Sequence, residues 1–375
     1  MNINFPYKLD HFQKEAIKAL DASNSVLLTA PTSSGKTFVA EYAIEKALEE
    51  SKHLYYTAPI KALCNQKFRD FSNQFGEENV GLLTGDHSIR SDSKVLVMTT
   101  EVLRNMLYTS RGVPEDLSYV VLDEIHFLED PYRGAVWEEI ILTLPKRVLL
   151  VALSATVSNA DELKDWITSV RGNIEKITRE TRPVPLKGHF FAVEKSRNHQ
   201  LTRIEILKNG KPNSRGQIFS NARRGRGKQN FRRWTTPRRG EIVAELKKLE
   251  MLPAIYFIFS RKGCDEARDS MVRYVGSLNN SEEGKKARKY AEERFALLTE
   301  EEKRILRVDL LLEGLEKGFA SHHAGLLPLF KQTIEELFSL GLLKLVFATE
   351  TLAVGVNLPA RSVVIEKLTK FNGES

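Results

Sequence analysis

The sequence predicts an α/β protein of two domains, in which each domain is a parallel sheet covered by helices. Short apolar runs, such as "SVLLTA" at Ser25 and "YVVLDE" at Tyr119, alternate with amphipathic stretches of helical period. Continuous β-branched and leucine-rich strands are typical of a parallel sheet that is buried on both faces. The 375 residues are enough for two domains of ordinary size. Two prolines within "TRPVPLKG", Thr181 to Gly188, interrupt the alternation and indicate a linker.

Each strand of the two predicted sheets is followed by a helix or a loop. In the first domain, residues 1–180, the predicted strands begin at Ser25, His53, Lys94, Tyr119 and Arg147. In the second domain, residues 181–375, the predicted strands begin at Ala254, Phe319, Leu343 and Arg361. We expect two insertions in the second domain, a basic one at about 195–240 and a charged helical one at about 280–318. Ligands of such sheets bind at the carboxyl ends of the strands.

The positive charge of the chain is concentrated in one segment. Between Lys208 and Gly240 there are eleven Lys or Arg residues and no Asp or Glu. Without these eleven charges the formal net charge of +7 becomes −4. Such a run binds polyanions by counterion release, and Phe231 and Trp234 within it are suited to stacking on bases. The alternative is a solvated insertion that happens to be basic; we favour contact with nucleic acid.

Composition excludes several other classes of protein. The two cysteines, Cys64 and Cys264, are far apart, so neither a disulfide framework nor a cysteine-built zinc site is expected. No apolar run approaches the ~20 residues of a membrane span. The N-terminal residues carry no basic and apolar leader that would direct export. We therefore expect a cytoplasmic protein without a membrane partner.

A phosphate-binding loop is indicated by "APTSSGKT", which follows a predicted strand and begins a helix. In such a loop, backbone N–H groups and the helix N-terminus bind phosphates, the lysine reaches the β and γ groups, and the hydroxyl of the last residue holds Mg²⁺. The residue in the usual place of the first glycine is alanine, and the alternative is an ordinary Ser/Gly turn at a helix start. The candidate residues are Ala30, Thr32, Ser33, Ser34, Gly35, Lys36 and Thr37.

Adjacent carboxylates end another strand in "VVLDEIH", Val120 to His126. Asp123 at a strand end is suited to holding Mg²⁺, and Glu124 is suited to orienting and deprotonating a water. Taken alone, such a pair is more often a solvated strand end or a helix cap. Together with the phosphate loop it predicts hydrolysis of a nucleoside triphosphate, with Lys36, Asp123 and Glu124 as catalytic residues.

The order of these motifs resembles superfamily 2 DExH-box helicases, and more narrowly the superkiller-like group that includes exosome-associated RNA helicases. The resemblance rests on "DEIHFLEDPYRGAVWEE", "LSATVSN", "HHAGLLP" and "LVFATETLAVGVNLPAR", and it extends from Phe5 to about Lys370 apart from the basic insertion. It implies two RecA-like P-loop domains and an RNA helicase that uses ATP with Mg²⁺. It also implies single-stranded RNA as a partner, and an RNA-decay or ribosome-associated complex.

The resemblance further implies roles for individual residues. Gln13 would read the adenine edge, Gly355 would face the nucleotide, and Ser154 and Thr156 would link the γ-phosphate site to the interdomain cleft. Simple helix capping is the alternative for the last two. The implied nucleic-acid-binding residues are Pro59, Lys61, Thr84, Gly85, Thr99, Thr100, Ser260, His323, Gly325 and Thr349.

The family pattern also has a QxxGRxGR motif soon after the strand "RSVVIE", and this sequence contains none. We therefore expect a second domain that is incomplete at its C-terminal end and a chain truncated relative to the family. The leading interpretation is an ATP-dependent helicase that moves along single-stranded RNA. The alternatives are a DNA helicase of the same superfamily, a clamp that binds ATP and nucleic acid without turnover, and a second half too incomplete to fold.

Overall fold

A computed structural model describes residues 9–109, 112–156, 159–194, 199–214, 234–352 and 358–367. The chain divides into two compact units, Met1–Pro185 and Leu186–Ser375, and each is described by itself below. Within the described ranges, no helix has both the length and the apolar character that crossing a membrane would require.

The first unit contains an eight-stranded sheet with helices packed against it. Its strands are β1 (Ser25–Thr29), β2 (His53–Ala58), β3 (Val80–Leu83), β4 (Ser88–Ile89), β5 (Val95–Thr99), β6 (Leu117–Leu122), β7 (Leu149–Ser154) and β8 (Ile174–Thr178). Its helices are α1 (His11–Asp21), α2 (Thr37–Glu49), α3 (Lys61–Phe75), α4 (Thr100–Leu107), α5 (Gly134–Thr143) and α6 (Ala160–Arg171), with a 3₁₀ helix at Ile125–Glu129. The strand order is β4-β3-β5-β2-β6-β7-β1-β8, and the pairs are parallel except for the β3–β4 hairpin.

Burial on both faces explains the continuous apolar strands. All five residues of β1 and all five of β5 are buried. Successive side chains of a strand point to opposite faces, so Val26 and Leu28 pack in one apolar cluster while Leu27 packs in another. The first cluster includes residues of α1, α2 and α3, and the second includes residues of α4, α5 and α6. The predicted parallel sheet covered by helices is confirmed.

The second unit contains a smaller parallel sheet and two short antiparallel sheets. Its strands are β9 (His189–Glu194), β10 (Gln200–Glu205), β11 (Leu207–Lys208), β12 (Lys211–Pro212), β13 (Trp234–Thr235), β14 (Ala254–Phe257), β15 (Phe319–His322), β16 (Leu345–Ala348) and β17 (Ser362–Ile365). Its helices are α7 (Arg239–Lys248), α8 (Arg261–Tyr274), α9 (Ser281–Phe295), α10 (Glu300–Ile305), α11 (Val308–Lys317) and α12 (Pro328–Ser339), with a 3₁₀ helix at Glu350–Leu352. The parallel sheet has the order β15-β16-β14-β17, and the antiparallel ones are β10-β9-β13 and β11-β12. A second parallel sheet is thus confirmed as well.

The charged stretch at about 280–318 forms α9, α10 and α11 and packs through an apolar face. In α9, Ala287, Ala291 and Phe295 recur every four residues and are buried in the core of this unit. The opposite face is charged, and Lys286 pairs with Glu282 one turn away at 2.6 Å. This is the arrangement of an amphipathic surface helix.

Candidate functional site

The predicted chemical residues of the first unit lie at one edge of its sheet. The phosphate loop follows β1, Asp123 follows β6, and Ser154 ends β7. These three strands are neighbours in the order β6-β7-β1, and all are parallel. Their carboxyl ends therefore meet at the same edge, which brings together residues far apart in the chain. The backbone N–H of Ala30 donates to the Ser154 carbonyl at 3.2 Å, which ties the phosphate loop to the end of β7.

The phosphate loop has the conformation of an anion cradle at a helix start. Ser33 and Gly35 have positive φ angles of 62° and 87°, and α2 begins two residues after Gly35. A Cβ on Gly35 would lie 2.8 Å from Gln13 Nε2, so a larger residue is disfavoured by both backbone and space. The hydroxyl of Ser34 is buried and makes no hydrogen bond within the described residues. An unsatisfied donor beside a helix N-terminus fits a bound phosphate.

Lys36 lies folded back over this loop. Its Nζ donates to the Ala30 carbonyl at 2.7 Å, and the residue is only 9% exposed. Burial lowers the pKa of the Lys36 ammonium, while the carboxylates of Glu124 and Asp123 oppose that shift. The Ala30 carbonyl therefore holds the ammonium in place, and the carboxylates at the end of β6 favour its charged form.

Gln13 contacts the phosphate loop through its carboxamide. Its Nε2 donates to the Gly35 carbonyl at 3.1 Å, and its Oε1 accepts from the Asp10 N–H at 2.9 Å. The residue is buried at 6% exposure. The structure thus places Gln13 as a brace between the start of α1 and Gly35; a role in reading adenine remains a prediction.

Asp123 is held rigidly at the end of β6. The hydroxyl of Tyr56 donates to Asp123 Oδ2, and the N–H of Glu124 donates to Oδ1 at 2.9 Å. Tyr56 is fully buried in β2, and its ring meets Phe71 edge-on at 5.1 Å. Sequence reasoning missed Tyr56. The signal is the register of β2 against β6, which pairs Tyr56 with Val121, two residues before Asp123 on the same face.

Glu124 combines an unusual backbone with a shifted acidity. It has a left-handed conformation with φ 53° and ψ 43°, and its side chain is 24% exposed. Burial and the neighbouring Asp123 carboxylate raise the pKa of Glu124 to about 7, against the opposing charges of Lys36 and Lys67. His126 Nδ1 lies 3.2 Å from Glu124 Oε2 without hydrogen-bond geometry. A carboxyl group with a pKa near neutrality is suited to taking a proton from water.

The residue types around Thr37 fit a divalent cation. The Thr37 hydroxyl and the Asp123 carboxylate are hard oxygen donors, the kind that Mg²⁺ prefers. Lys67 Nζ donates to Thr37 Oγ1 at 3.2 Å and lies over the Phe71 ring. Sequence reasoning missed Lys67 as well, because its place depends on how α3 packs beside the loop.

The candidate nucleic-acid residues of the first unit lie along the other half of the same edge. They follow β2, β3 and β5, which are adjacent in the sheet. Lys61 Nζ lies 2.9 Å from Asp86 Oδ1, and that same oxygen accepts from Thr84 Oγ1 at 3.0 Å. Gly85 lies beside Lys61, with only that ammonium within 4 Å of an added Cβ, at 3.9 Å. Lys61, Thr84 and Gly85 are therefore brought together.

The other candidates on this edge are less accessible. Thr99 is 7% exposed and Thr100 is fully buried. The Thr100 hydroxyl makes no hydrogen bond within the described residues. The Pro59 carbonyl accepts from the guanidinium of Arg133, a residue that the sequence reading did not single out. Of the pair assigned to coupling, Ser154 is buried and Thr156 is exposed.

In the second unit the candidate residues follow β14, β15 and β16. Ser260 caps α8, because its hydroxyl accepts from the Gly263 N–H at 3.1 Å. His323 Nδ1 accepts from the Gly325 N–H at 3.2 Å, so the ring proton is on Nε2 and donates to Asp265 at 3.1 Å. The N–H of Thr349 donates to the His322 carbonyl at 3.2 Å.

The two histidines of the second unit, His322 and His323, are buried and not exposed to solvent. His322 and His323 are 4% and 5% exposed, and His322 Nε2 lies 2.8 Å from Glu335 Oε1. Burial raises the pKa of Asp265, but the hydrogen bonds from His323 and Ser321 outweigh it and the net pKa is lowered. Gly355 and two parts of the basic insertion, residues 195–198 and 215–233 with Phe231 among them, lie outside the described residues.

Comparison with known proteins agrees with this arrangement. Residues 10–163 match the DEAD/DEAH box helicase family. The chain is 45% identical to "Probable helicase HelY" of Mycobacterium tuberculosis, covering 98% of this chain and 42% of the relative. It is 40% identical to the "DExH-box ATP-dependent RNA helicase DExH15 chloroplastic" of Arabidopsis thaliana, with 98% and 34% covered. It is 39% identical to "Superkiller complex protein 2" of Homo sapiens, with 98% and 30% covered.

The chain thus spans about two fifths or less of the length of these curated relatives. The similarity nonetheless extends over nearly all of the chain itself, across both compact units. Residues 10–163 thus match a DEAD/DEAH box helicase domain, and the relatives matched over 98% of this chain include DExH-box helicases of the superkiller-like type.

Proposed function

We propose that this chain is the ATP-hydrolysing core of an RNA helicase that moves along single-stranded RNA. The observation that carries the proposal is the meeting of Lys36, Asp123 and Glu124 at one edge of the sheet, with the pKa of Glu124 near neutrality. A base with a pKa near the working pH is half ionised there and is suited to accept a proton from the attacking water. Lys36 binds the terminal phosphates, and the Ser34 hydroxyl and the N–H groups of the loop bind the others.

Mg²⁺ would be held directly by the Thr37 hydroxyl and, through a water molecule, by the Asp123 carboxylate. When bound, the ion neutralises phosphate charge and orients the phosphate oxygens. The protein's own part is to keep the carboxylate in place, and the hydrogen bonds from Tyr56 and the Glu124 N–H do so. Gln13 holds Gly35 and is proposed to contact the adenine. Gly355 is proposed to face the nucleotide.

Single-stranded RNA is the proposed polymer. Lys61, Thr84 and Gly85 offer an ammonium, a hydroxyl and a close backbone approach, which suit the sugar-phosphate backbone. The other residues proposed to contact RNA are Pro59, Thr99 and Thr100 in the first unit and Ser260, His323, Gly325 and Thr349 in the second. The relative from Arabidopsis is named an RNA helicase and the human relative a superkiller complex protein, which supports RNA as the polymer and an RNA-decay complex as the partner. A cytoplasmic location is part of the same proposal.

Steady-state ATP hydrolysis with and without single-stranded RNA tests this proposal. We expect RNA to stimulate turnover, and Glu124→Gln to lower the stimulated rate by about 100-fold or more because the general base is lost. The matched control is Glu129→Gln, an exposed carboxylate at the end of the same 3₁₀ helix, which should leave the rate unchanged.

The same assay separates the alternatives. Stimulation by single-stranded DNA but not by RNA would mean that the polymer is DNA and the chain is part of a DNA helicase. Binding of ATP and RNA without turnover would mean that the chain is a non-catalytic clamp and not an enzyme. A Glu124→Gln variant as active as the unaltered chain would show that another group accepts the proton.

A further inference from the structure

Arg133 occupies a turn whose backbone is tightly defined. Asp130 Oδ1 accepts from the N–H groups of Tyr132 and Arg133 at 2.9 and 3.1 Å. The Gly134 N–H donates to the Asp130 carbonyl at 2.8 Å. A Cβ on Gly134 would lie 2.1 Å from the Leu128 carbonyl oxygen, so only glycine permits this close approach. The turn therefore fixes where the Arg133 side chain leaves the backbone at the start of α5.

The guanidinium of Arg133 binds two of the loops proposed to contact RNA. Its Nη2 donates to the Pro59 carbonyl, in the loop after β2. The same nitrogen donates to Glu101 Oε1 at 2.6 Å, in the first turn of α4 after β5. Both acceptors lie at the carboxyl edge of the sheet, on the half that carries Lys61 and Thr84.

The other side of the same side chain packs on the segment that follows Glu124. The guanidinium carbon lies 6.0 Å from the Phe127 ring centroid and 5.8 Å from that of Trp137. These two rings are themselves stacked, with centroids 6.2 Å apart and 15° between the planes. The Phe127 N–H donates to the Glu124 carbonyl at 3.0 Å. One side chain thus joins the proposed RNA loops to the turn that carries the proposed general base.

The chemistry of arginine suits this double contact. A planar guanidinium offers several donors in a fixed fork and also stacks flat on aromatic rings, whereas an ammonium is a compact point charge that has neither the fork nor the flat surface. The Arg133 side chain is one third exposed, at 33%, and Glu101 is 37% exposed. A pair that is partly open to solvent adds only modestly to stability, so we explain the contact by positioning as well as by fold stability.

We propose that Arg133 is a positioning residue that couples RNA binding to ATP hydrolysis in the first unit. Displacement of the loops at Pro59 and Glu101 by RNA is transmitted through the guanidinium to the Phe127 turn and so to Glu124. Arg133 touches neither the proposed phosphate site nor, by this proposal, the RNA. The inference rests on the proposed function, and it adds a residue and a path that the helicase motifs quoted above do not assign.

The test is the ratio of RNA-stimulated to basal ATP hydrolysis in Arg133→Gln and Arg133→Lys. We expect the ratio to fall about tenfold in Arg133→Gln, while basal hydrolysis and the melting temperature stay close to those of the unaltered chain. Arg133→Lys should restore only part of the ratio, because it keeps the charge but loses the fork and the stacking. Glu101→Ala should lower the ratio from the other end of the contact, without touching the turn.

The chain offers a matched control on the same two helices. Arg104 of α4 lies 3.8 Å from Glu139 of α5, with side chains 33% and 39% exposed. This pair also joins α4 to α5, and its partners do not include the Pro59 loop. Arg104→Gln should therefore leave the ratio of stimulated to basal hydrolysis unchanged.

A second measurement keeps the outcomes distinct if turnover is low. The affinity for a fluorescent single-stranded RNA is measured with and without a non-hydrolysable ATP analogue, and the quotient of the two affinities reports the coupling. A quotient above one that Arg133→Gln reduces supports the proposal. A quotient that Arg133→Gln leaves intact overturns it while the proposed function stands. An unaltered chain that binds RNA but shows no effect of nucleotide also overturns it, and one that binds neither overturns the proposed function.

Discussion

Glu124 shows how one residue balances function against stability. Its carboxyl group is surrounded by Asp123, Lys36 and the buried start of the 3₁₀ helix, and its pKa is raised from 4.5 to about 7. The folded state therefore binds a proton more tightly at this position than the unfolded chain does. Between these two pKa values, the contribution of Glu124 to folding becomes less favourable as the pH rises. Above about pH 7 the full cost of keeping the carboxylate charged is present.

The variant Glu124→Gln should therefore be more stable than the unaltered chain at pH 8. Glutamine has nearly the same shape and no charge, so the gain approaches about 3 kcal/mol at pH 8 and vanishes near pH 4.5. The measurement is denaturant unfolding followed by tryptophan fluorescence at several pH values, because Trp137 and Trp166 both lie in the first unit. Equal stability of the two proteins at pH 8 would contradict the raised pKa.

Site residues that are contiguous in the chain can be recognised from the sequence. Site residues that meet only through strand register or helix packing cannot. The phosphate loop and the Asp-Glu pair are short strings in a defined order, so they are recognisable without a structure. Tyr56 and Lys67 are not, because one depends on the pairing of β2 with β6 and the other on the packing of α3 beside the loop. Arg133 lies within a string quoted for the family resemblance, but its partners Pro59 and Glu101 are 74 and 32 residues away in the chain.

At the scale of elements, the helices and parallel strands follow the sequence pattern closely. The five strands predicted for the first domain are all present, because each is an unbroken apolar run bounded by turn residues. The strands β3, β4 and β8 were not predicted. The short antiparallel strands β9 to β13 were not predicted either, and β11 and β12 have two exposed residues each. Exposed strands of two residues, such as β11 and β12, carry no periodicity, so a sequence pattern does not reveal them.

The helix α9 provides a test at this scale. Its charged composition suggests a solvent-exposed helix, whereas one of its faces is buried in the core of the second unit. Phe295 at its end is 1% exposed, and its ring meets Phe330 edge-on with centroids 4.8 Å apart. We expect Phe295→Ala to destabilise the second unit by about 3 to 5 kcal/mol, because it leaves a cavity in the core. Lys289→Ala on the exposed face of the same helix should change stability by less than about 0.5 kcal/mol.

Amide hydrogen exchange across α9 and α12 provides the measurement, since it resolves each unit without assuming that the whole chain unfolds in one step. Faster exchange in Phe295→Ala but not in Lys289→Ala is the expected result. Equal exchange in both variants would mean that α9 contributes nothing to the core of the second unit.

At the scale of the whole molecule, the distribution of charge is the property that the sequence states most directly. Eleven basic residues between Lys208 and Gly240 outweigh the net negative charge of the remainder. One of them has its charge paired within the protein. The Arg239 guanidinium donates to both carboxylate oxygens of Glu366 at 2.9 and 3.1 Å. We propose that the six basic residues from Arg223 to Arg233 take part in binding a polyanion.

We therefore expect the affinity for single-stranded RNA to fall steeply with salt, and the central basic residues to account for much of the slope. Replacement by serine is confined to Arg223, Arg224, Arg226, Lys228, Arg232 and Arg233. If all six residues neutralise phosphates, the slope of log affinity against log salt becomes shallower by about 4, which is 0.7 for each phosphate released on a single strand.

The measurement is fluorescence anisotropy of a labelled RNA between about 50 and 200 mM salt, a range over which such contacts change affinity by orders of magnitude. A control variant with Lys285, Lys286 and Lys289 of α9 replaced by serine should keep the slope, because these lysines belong to a helix already balanced by glutamates. Unaltered basal ATP hydrolysis in the six-residue variant would show that the phosphate loop is intact. If the slope does not change, the ionic contacts with RNA are made elsewhere, and Lys61 beside Thr84 is the first place to look for them.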